Sequence, residues 1–427
     1  MRFSPNNHTL NLQKGRPRGH PFCFAPFPDP FTRVFRAVTF DAVLAPTIRE
    51  MRRIVTALVL LTLAVSAAAQ SSDPDVLPLE SKILGETRSI LVRVPASYRT
   101  GARRYPVVYL TDGEAHLGHT VATADFLSRQ GRMPEVIVVA VVNTNRGRDL
   151  TPTKDATRTD ETGGADRFLD FFEKELIPTI ESRYRTLPFR VFGGHSLGGL
   201  FALHGLFTRP KLFDAWISVS PALFWDDRYL FRRANEFFEK TKDVSANVVV
   251  TIGDEGEASR LFDEFRTLVT KRAPKNVDVL FVHLADEDHG SVVMPSHYAA
   301  LRKVFAPWRF TPVDGADPKN ELTRATEQFT SLSKRLAYEI LVPENLTNIL
   351  GYRLLQANRT NDAIAAFQLN VKNWPKSANV YDSLGEAYEK AGHLAEARAN
   401  YERAAQVAAE TNDPNLATFR RNAERLR

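Results

Sequence analysis

The sequence predicts an α/β protein: a doubly wound, mostly parallel sheet followed by an all-α domain. Three observations carry this. From Ser81 to Arg309 short β-rich runs alternate with helical ones, the order produced by a parallel sheet with crossover helices. Some β-rich runs are apolar throughout, as Val136 to Val142 is (V-I-V-V-A-V-V), which suits strands covered on both faces. After residue 320 the pattern becomes wholly helical and repeats every 34 residues, the mark of stacked helical pairs.

Ahead of the sheet stands a leader. At 427 residues the chain has room for two domains besides it. Its 43% apolar and 25% charged residues are those of an ordinary globular protein. The formal charge of +6 would suggest an acidic partner, but residues 1–69 hold nine Lys/Arg against Asp29, Asp41 and Glu50. The excess belongs to the leader and the remainder is neutral, which argues against a nucleic-acid partner. Met51-Arg52-Arg53, the apolar run Ile54 to Val65 and Ser66-Ala67-Ala68-Ala69-Gln70 have the positive start, apolar core and A-x-A site of an export signal. The run falls short of the roughly 20 apolar residues a membrane span needs, so no span is expected in the mature chain. Because such a signal stands at a chain's start, translation is expected to begin at Met51. Residues 1–50 are then a mis-called or disordered leader, 51–69 the signal peptide, and the mature protein is periplasmic or secreted. The lone cysteine, Cys23, falls in that leader, leaving the mature chain without a disulfide, a cysteine nucleophile or a cysteine-bound metal.

The sheet domain is expected over 75–310, with strands Ser89–Val94, Pro106–Leu110, Val136–Val142, Phe189–Gly193, Ala215–Val219, Asn247–Ile252 and Val277–Leu284. Among the helices between them is Asp166–Tyr184, with Phe168, Phe171, Phe172, Leu176 and Ile180 near helical spacing. Residues 311–320 (T-P-V-D-G-A-D-P-K-N) are rich in turn formers and read as a linker. Within 321–427, Gly351 and Gly385, Ala363 and Ala397, and Phe367 and Tyr401 each fall 34 residues apart, with Pro375 closing the first unit. This register resembles tetratricopeptide repeats more than a generic pair of helical hairpins. Two units bury too little surface alone. Flanking helices at Glu321–Ile340 and Pro414–Arg427 are therefore expected to complete an array of about six. The short linker predicts that this array packs on the sheet domain or on a second subunit, the alternative being a tethered adaptor for a partner peptide.

Phe192-Gly193-Gly194-His195-Ser196-Leu197-Gly198-Gly199 contains G-x-S-x-G, between the strand Phe189–Gly193 and a helix over Leu200–Leu206. In that setting the motif is a nucleophile elbow, with Ser196 on a sharp turn that crowds side chains two residues to either side. Outside it, the same glycines would make a phosphate loop or a plain turn. A serine hydroxyl needs an imidazole to take its proton. His289, in the loop after the last strand, has the expected place. His283 and His297 read as structural, and His195 as a packing or hydrogen-bonding residue. The acid that orients the imidazole should follow the preceding strand, where Asp254, Glu255 and Glu257 compete. Glu255 is preferred, then Glu257, then Asp254, with a Ser/His dyad if none serves. The oxyanion hole needs two backbone N–H donors: Leu197 supplies one and Gly113 or Glu114, after the strand Pro106–Leu110, the other. His116 and His119 have the makings of a metal pair but no third ligand goes with them, and no cofactor is expected.

With these pieces, Ser81 to Arg309 resembles the esterase family of α/β hydrolases that includes enterochelin esterases and esterase D. The resemblance rests on Tyr109-Leu110-Thr111-Asp112-Gly113, Arg148-Asp149-Leu150-Thr151-Pro152, Gly193 to Gly199, Ser220-Pro221-Ala222-Leu223-Phe224-Trp225 and His289-Gly290-Ser291-Val292. It implies an α/β-hydrolase fold and cofactor-free hydrolysis of a small-molecule ester by a Ser/His/acid triad or a Ser/His dyad, without naming the ester. Mycolyltransferases share the fold and pass the acyl group to an alcohol, so acyl transfer is the alternative activity. The alternative class is an interaction protein with an inert hydrolase fold. An intact set of nucleophile, base and candidate acids favours the enzyme. A protein partner or self-association through the repeats is compatible with either.

Overall fold

The computed structural model describes residues 74–99, 103–241, 243–336 and 338–426. The expected leader, signal peptide and Cys23 lie outside the described residues. Eight strands form one sheet: β1 Asp75–Ser81, β2 Glu86–Arg93, β3 Tyr105–Leu110, β4 Ile137–Val141, β5 Thr186–His195, β6 Ala215–Val219, β7 Ala246–Gly253 and β8 Val277–Leu284. Their order is β1-β2-β4-β3-β5-β6-β7-β8. From β4 to β8 neighbours run parallel, while β1, β2 and β4 pair antiparallel. The seven expected strands are all present. β1 was not foreseen, because Pro78 interrupts it and its burial alternates, as suits an edge strand.

β3 and β4 are buried along their whole length, as their unbroken apolar sequence requires. The helices of this part are α1 Gly113–Arg129, α2 Arg146–Leu150, α3 Ala165–Phe171, α4 Ile177–Arg183, α5 Leu197–Thr208, α6 Trp225–Lys240, α7 Glu257–Arg272 and α8 Val293–Val304. One face of the sheet packs an aromatic cluster around Phe172, Phe192, Phe201, Phe213 and Trp216, with Phe213 and Trp216 ring centroids 5.0 Å apart. On the other, Leu117 and Leu127 of α1 and Leu301 of α8 cover Val108, Val138 and Val191. The expected helix Asp166–Tyr184 is α3 and α4 joined by a wider π-type turn at Phe172–Leu176. That turn sits just before Pro178, which has no N–H to donate to the preceding turn.

The chain leaves β3 for β4 on one side, then places β5 on the other. In open α/β sheets ligands bind outside the carboxyl ends of the strands at such a reversal. The carboxyl ends of β3 and β5 are therefore where a site is expected.

Six further helices follow: α9 Pro318–Leu336, α10 Glu344–Gln356, α11 Thr360–Asn373, α12 Ala378–Lys390, α13 Leu394–Thr411 and α14 Leu416–Arg425. α9 begins inside the segment expected as linker, with Pro318 in the first helical position, where its missing N–H costs nothing. A Cβ on Gly351 would stand 2.6 Å from the Phe367 ring, and one on Gly385 2.8 Å from Tyr401. One close helix-to-ring approach thus recurs at the sequence period. Phe329 and Leu332 of α9 join the same apolar cluster as Phe189 and Trp308, and the Gln328 amide donates to the carbonyls of Pro307 and Arg309, each at 3.0 Å. Arg103 lies over the Trp374 ring, 4.8 Å from its centroid. Arg103 precedes β3 and Phe189 lies in the amino half of β5, so the helices meet the sheet away from the expected site.

Candidate active site

β5 runs straight into α5, and Ser196 between them takes φ 60° and ψ −114°. Such a conformation is strained for a residue with a Cβ. It is held by three backbone bonds. Ser196 N–H donates to the Val219 carbonyl at 2.9 Å, and the Ser196 carbonyl accepts from Leu200 at 3.0 Å and Ala222 at 3.3 Å. Both flanking glycines are steric requirements: a Cβ on Gly194 would be 2.3 Å from the Gly198 carbonyl oxygen, and one on Gly198 2.5 Å from Thr111 Oγ1.

His289 lies in the loop between β8 and α8. Asp288 Oδ1 accepts from the N–H groups of Gly290 (2.9 Å) and Ser291 (2.8 Å), while Ser291 Oγ accepts from Asp288 N–H at 2.9 Å. These reciprocal bonds shape the loop, and its imidazole remains 51% exposed. Its Nδ1 meets Glu255 Oε2 at 2.5 Å. The other Glu255 oxygen accepts from Ser220 Oγ at 2.5 Å and from Gly253 N–H at 3.2 Å. Burial alone would push the Glu255 carboxyl up, but the hydrogen bonds from His289 and Ser220 outweigh it and hold the group below its ordinary value. The bond to Glu255 raises His289 against the opposing effect of burial.

Of the three competing carboxylates, Glu255 is the one that reaches the imidazole, with its side chain 9% exposed. Glu257 points to solvent at 79% exposure and pairs with Arg260 at 3.0 Å. Asp254 is also exposed. Gly256, at φ 59°, turns the chain between Glu255 and α7, so the two glutamates part company.

The loop after β3 packs on the start of α5, as the Gly198–Thr111 approach shows. Asp112 there has φ 53° and ψ 46°. Its buried carboxylate accepts from Arg146 Nε (2.6 Å) and Asn143 Nδ2 (2.6 Å), and Arg146 also donates to the His195 carbonyl at 3.2 Å. Glu114 is fixed by Asn143, whose amide nitrogen donates at 2.8 Å. Gly113 and Leu197 open two helices, α1 and α5, and the start of α5 packs on Thr111 and Asp112, which lead into α1. Helix starts present unbonded N–H groups and positive potential.

His116 and His119 have ring centroids 5.2 Å apart and cluster with His195 and His297 at 5.3–5.4 Å. Among the described residues no three His, Cys, Asp or Glu side chains are grouped to hold a metal ion. His297 is buried and bonds Thr120 Oγ1 through Nδ1 at 2.8 Å. Sequence reasoning missed Ser220, Asn143 and Arg146, whose parts depend on contacts across the fold. The Arg148-Asp149 pair lies nearby but outside the site. Asp149 pairs with buried Arg88 at 2.5 Å and Arg148 with Glu86 at 2.7 Å.

Residues 81–270 match the family described as "Putative esterase". The siderophore triacetylfusarinine C esterase of Aspergillus fumigatus is 31% identical over 267 residues, 53% of this chain and 91% of that protein. The ferri-bacillibactin esterase BesA of Bacillus subtilis is 31% identical over 233 residues, 48% of this chain and 80% of its own. Among solved structures, an IroE-like serine hydrolase from Shewanella oneidensis has a TM-score of 0.61 at 30% identity, covering 70% of this chain and 99% of that one. The chain belongs to the esterase family. It is a carboxylic ester hydrolase with the α/β-hydrolase fold.

Proposed function

We propose that this enzyme cleaves its ester through an acyl-enzyme, with Ser196 as nucleophile, His289 as general base and Glu255 as the acid that orients it. The observation that carries this reading is the 2.5 Å contact between His289 Nδ1 and Glu255 Oε2, on a loop adjoining the Ser196 elbow. The serine hydroxyl loses its proton to His289 as it attacks the ester carbonyl. The tetrahedral oxyanion is received by the N–H of Leu197 and that of Gly113 or Glu114. His289 then protonates the leaving alcohol, and water repeats the sequence on the acyl-enzyme.

The substrate class we infer is the ester linkage of a siderophore or a similar small oligo-ester, supported by the names of two relatives. We further propose that 75–310 is the esterase domain, that 321–427 is a tetratricopeptide-type array open to a protein partner, and that the mature chain is exported. Turnover of p-nitrophenyl acetate and of siderophore, feruloyl, acetyl-sugar and short acyl esters tests the reading. Ser196→Ala should lower kcat by about 10³-fold or more on every ester accepted. Turnover near the wild-type rate in that variant would end it.

A further inference from the structure

His195 ends β5 beside Ser196, and its ring meets the loop that carries His289. Its Nε2 lies 2.8 Å from the His289 backbone carbonyl oxygen, and the two rings are 4.6 Å apart. A carbonyl only accepts, so Nε2 carries the proton and donates it. Burial, and then the neighbouring His289 and His116, pull His195 down to about 4, so at neutral pH the ring is uncharged and this is its one N–H. On the main-chain side the His195 carbonyl accepts from Arg146, the guanidinium that also grips Asp112. One residue therefore ties the base loop to the elbow and, through Arg146, the elbow to the loop after β3. The Asp288–Ser291 bonds shape the loop from within, and the His195 bond joins it to the elbow, while the half-exposed His289 side chain is held by Glu255.

We propose that His195 is a positioning residue whose imidazole N–H fixes the backbone of the His289 loop and so sets the approach of the base to Ser196. This rests on the Ser196/His289 reading above. Misplacing a reacting group by about 1 Å costs on the order of 10²-fold in rate. His195→Phe, which keeps a ring but no donor, should therefore lower kcat for p-nitrophenyl acetate about 10–100-fold, with KM changed less than about two-fold. His195→Gln, whose amide N–H reaches toward the same carbonyl, should recover to within about three-fold of wild type. In a His289→Ala background, His195→Phe should alter the residual rate less than about two-fold, because no base remains to be placed. His195→Ala replaces the phenylalanine variant in both comparisons should that fail to fold. Wild-type kcat in the donor-less variant, equal loss in the Phe and Gln variants, or a full loss persisting without His289 would each overturn the proposal. Ser196→Ala, run alongside, separates this from failure of the underlying reading: an active Ser196→Ala removes the reading, whereas an inactive one leaves His195 alone at fault.

Discussion

The two ends of the sheet are built on opposite terms. At the carboxyl ends of the adjacent strands β3, β5 and β6, Asp112, Ser196 and Ser220 all take positive φ, at 53°, 60° and 41°. Left-handed backbone costs a residue with a Cβ about 1–2 kcal/mol, and here it recurs on three neighbouring strands. At the amino ends the chain is relaxed and packed: Phe189 and Trp308 meet at 4.7 Å between centroids, and Phe329 is 2% exposed. Of the two ends of β3, β5 and β6, the carboxyl end carries this strain, and packed surroundings hold it there. The helical region packs against the amino-end side through Phe329, Leu332 and Gln328.

Variants at the two ends should therefore fail in different ways. The largest expected effect is at the strained end: His289→Ala should lower kcat by about 10³-fold or more, with a melting temperature close to wild type. Glu255→Gln should cost about 10²-fold or more in kcat, while Glu257→Gln, whose carboxylate faces solvent, should stay within about two-fold. Steady-state kinetics on one chromogenic ester measures all three. At the relaxed end the signature inverts. Phe329→Ala removes a buried ring and should destabilise the fold by about 3–5 kcal/mol in urea denaturation, with kcat per folded molecule unchanged. A Phe329→Ala protein that is fully stable yet slow would break the comparison.

The smallest effects expected are in pH. In the proposed mechanism hydrolysis needs His289 uncharged, and Glu255 raises its pKa above the ordinary value of about 6.5. The acidic limb of kcat/KM should sit above that value, and Glu255→Gln should move it to lower pH. Stability has its own pH dependence. His116, His119, His195 and His297 are all held below the ordinary range, chiefly by burial. As pH falls below about 6.5 the unfolded chain takes up protons that the folded one refuses, so stability drops toward pH 4. His289, being raised, works in the opposite sense, but it is one group against four. Urea midpoints at pH 7 and pH 5 measure the balance.

Much of this arrangement was readable from the chain. The buried parallel strands announce themselves because covering both faces forces unbroken apolar runs, and β6 and β8 have the expected bounds. β1 escaped because an edge strand with a proline carries no such run. The elbow is legible since its glycines answer a local steric demand. Sequence ranks Glu255 ahead of Glu257 and Asp254 without settling the choice, because that depends on which carboxylate the turn at Gly256 leaves facing His289. Ser220, Asn143, Arg146 and the second contact of His195 depend on approach between distant segments, which local pattern does not encode.

The central claim, that Ser196 is an activated nucleophile served by His289, is tested most directly by covalent labelling. A fluorophosphonate ester reacts with an activated serine and leaves a stable adduct that intact-mass measurement and peptide mapping locate. One adduct is expected, on the peptide containing Ser196, absent from Ser196→Ala and formed about 10³-fold more slowly in His289→Ala. Labelling at another serine, or labelling at Ser196 that proceeds at the same rate without His289, would contradict the account.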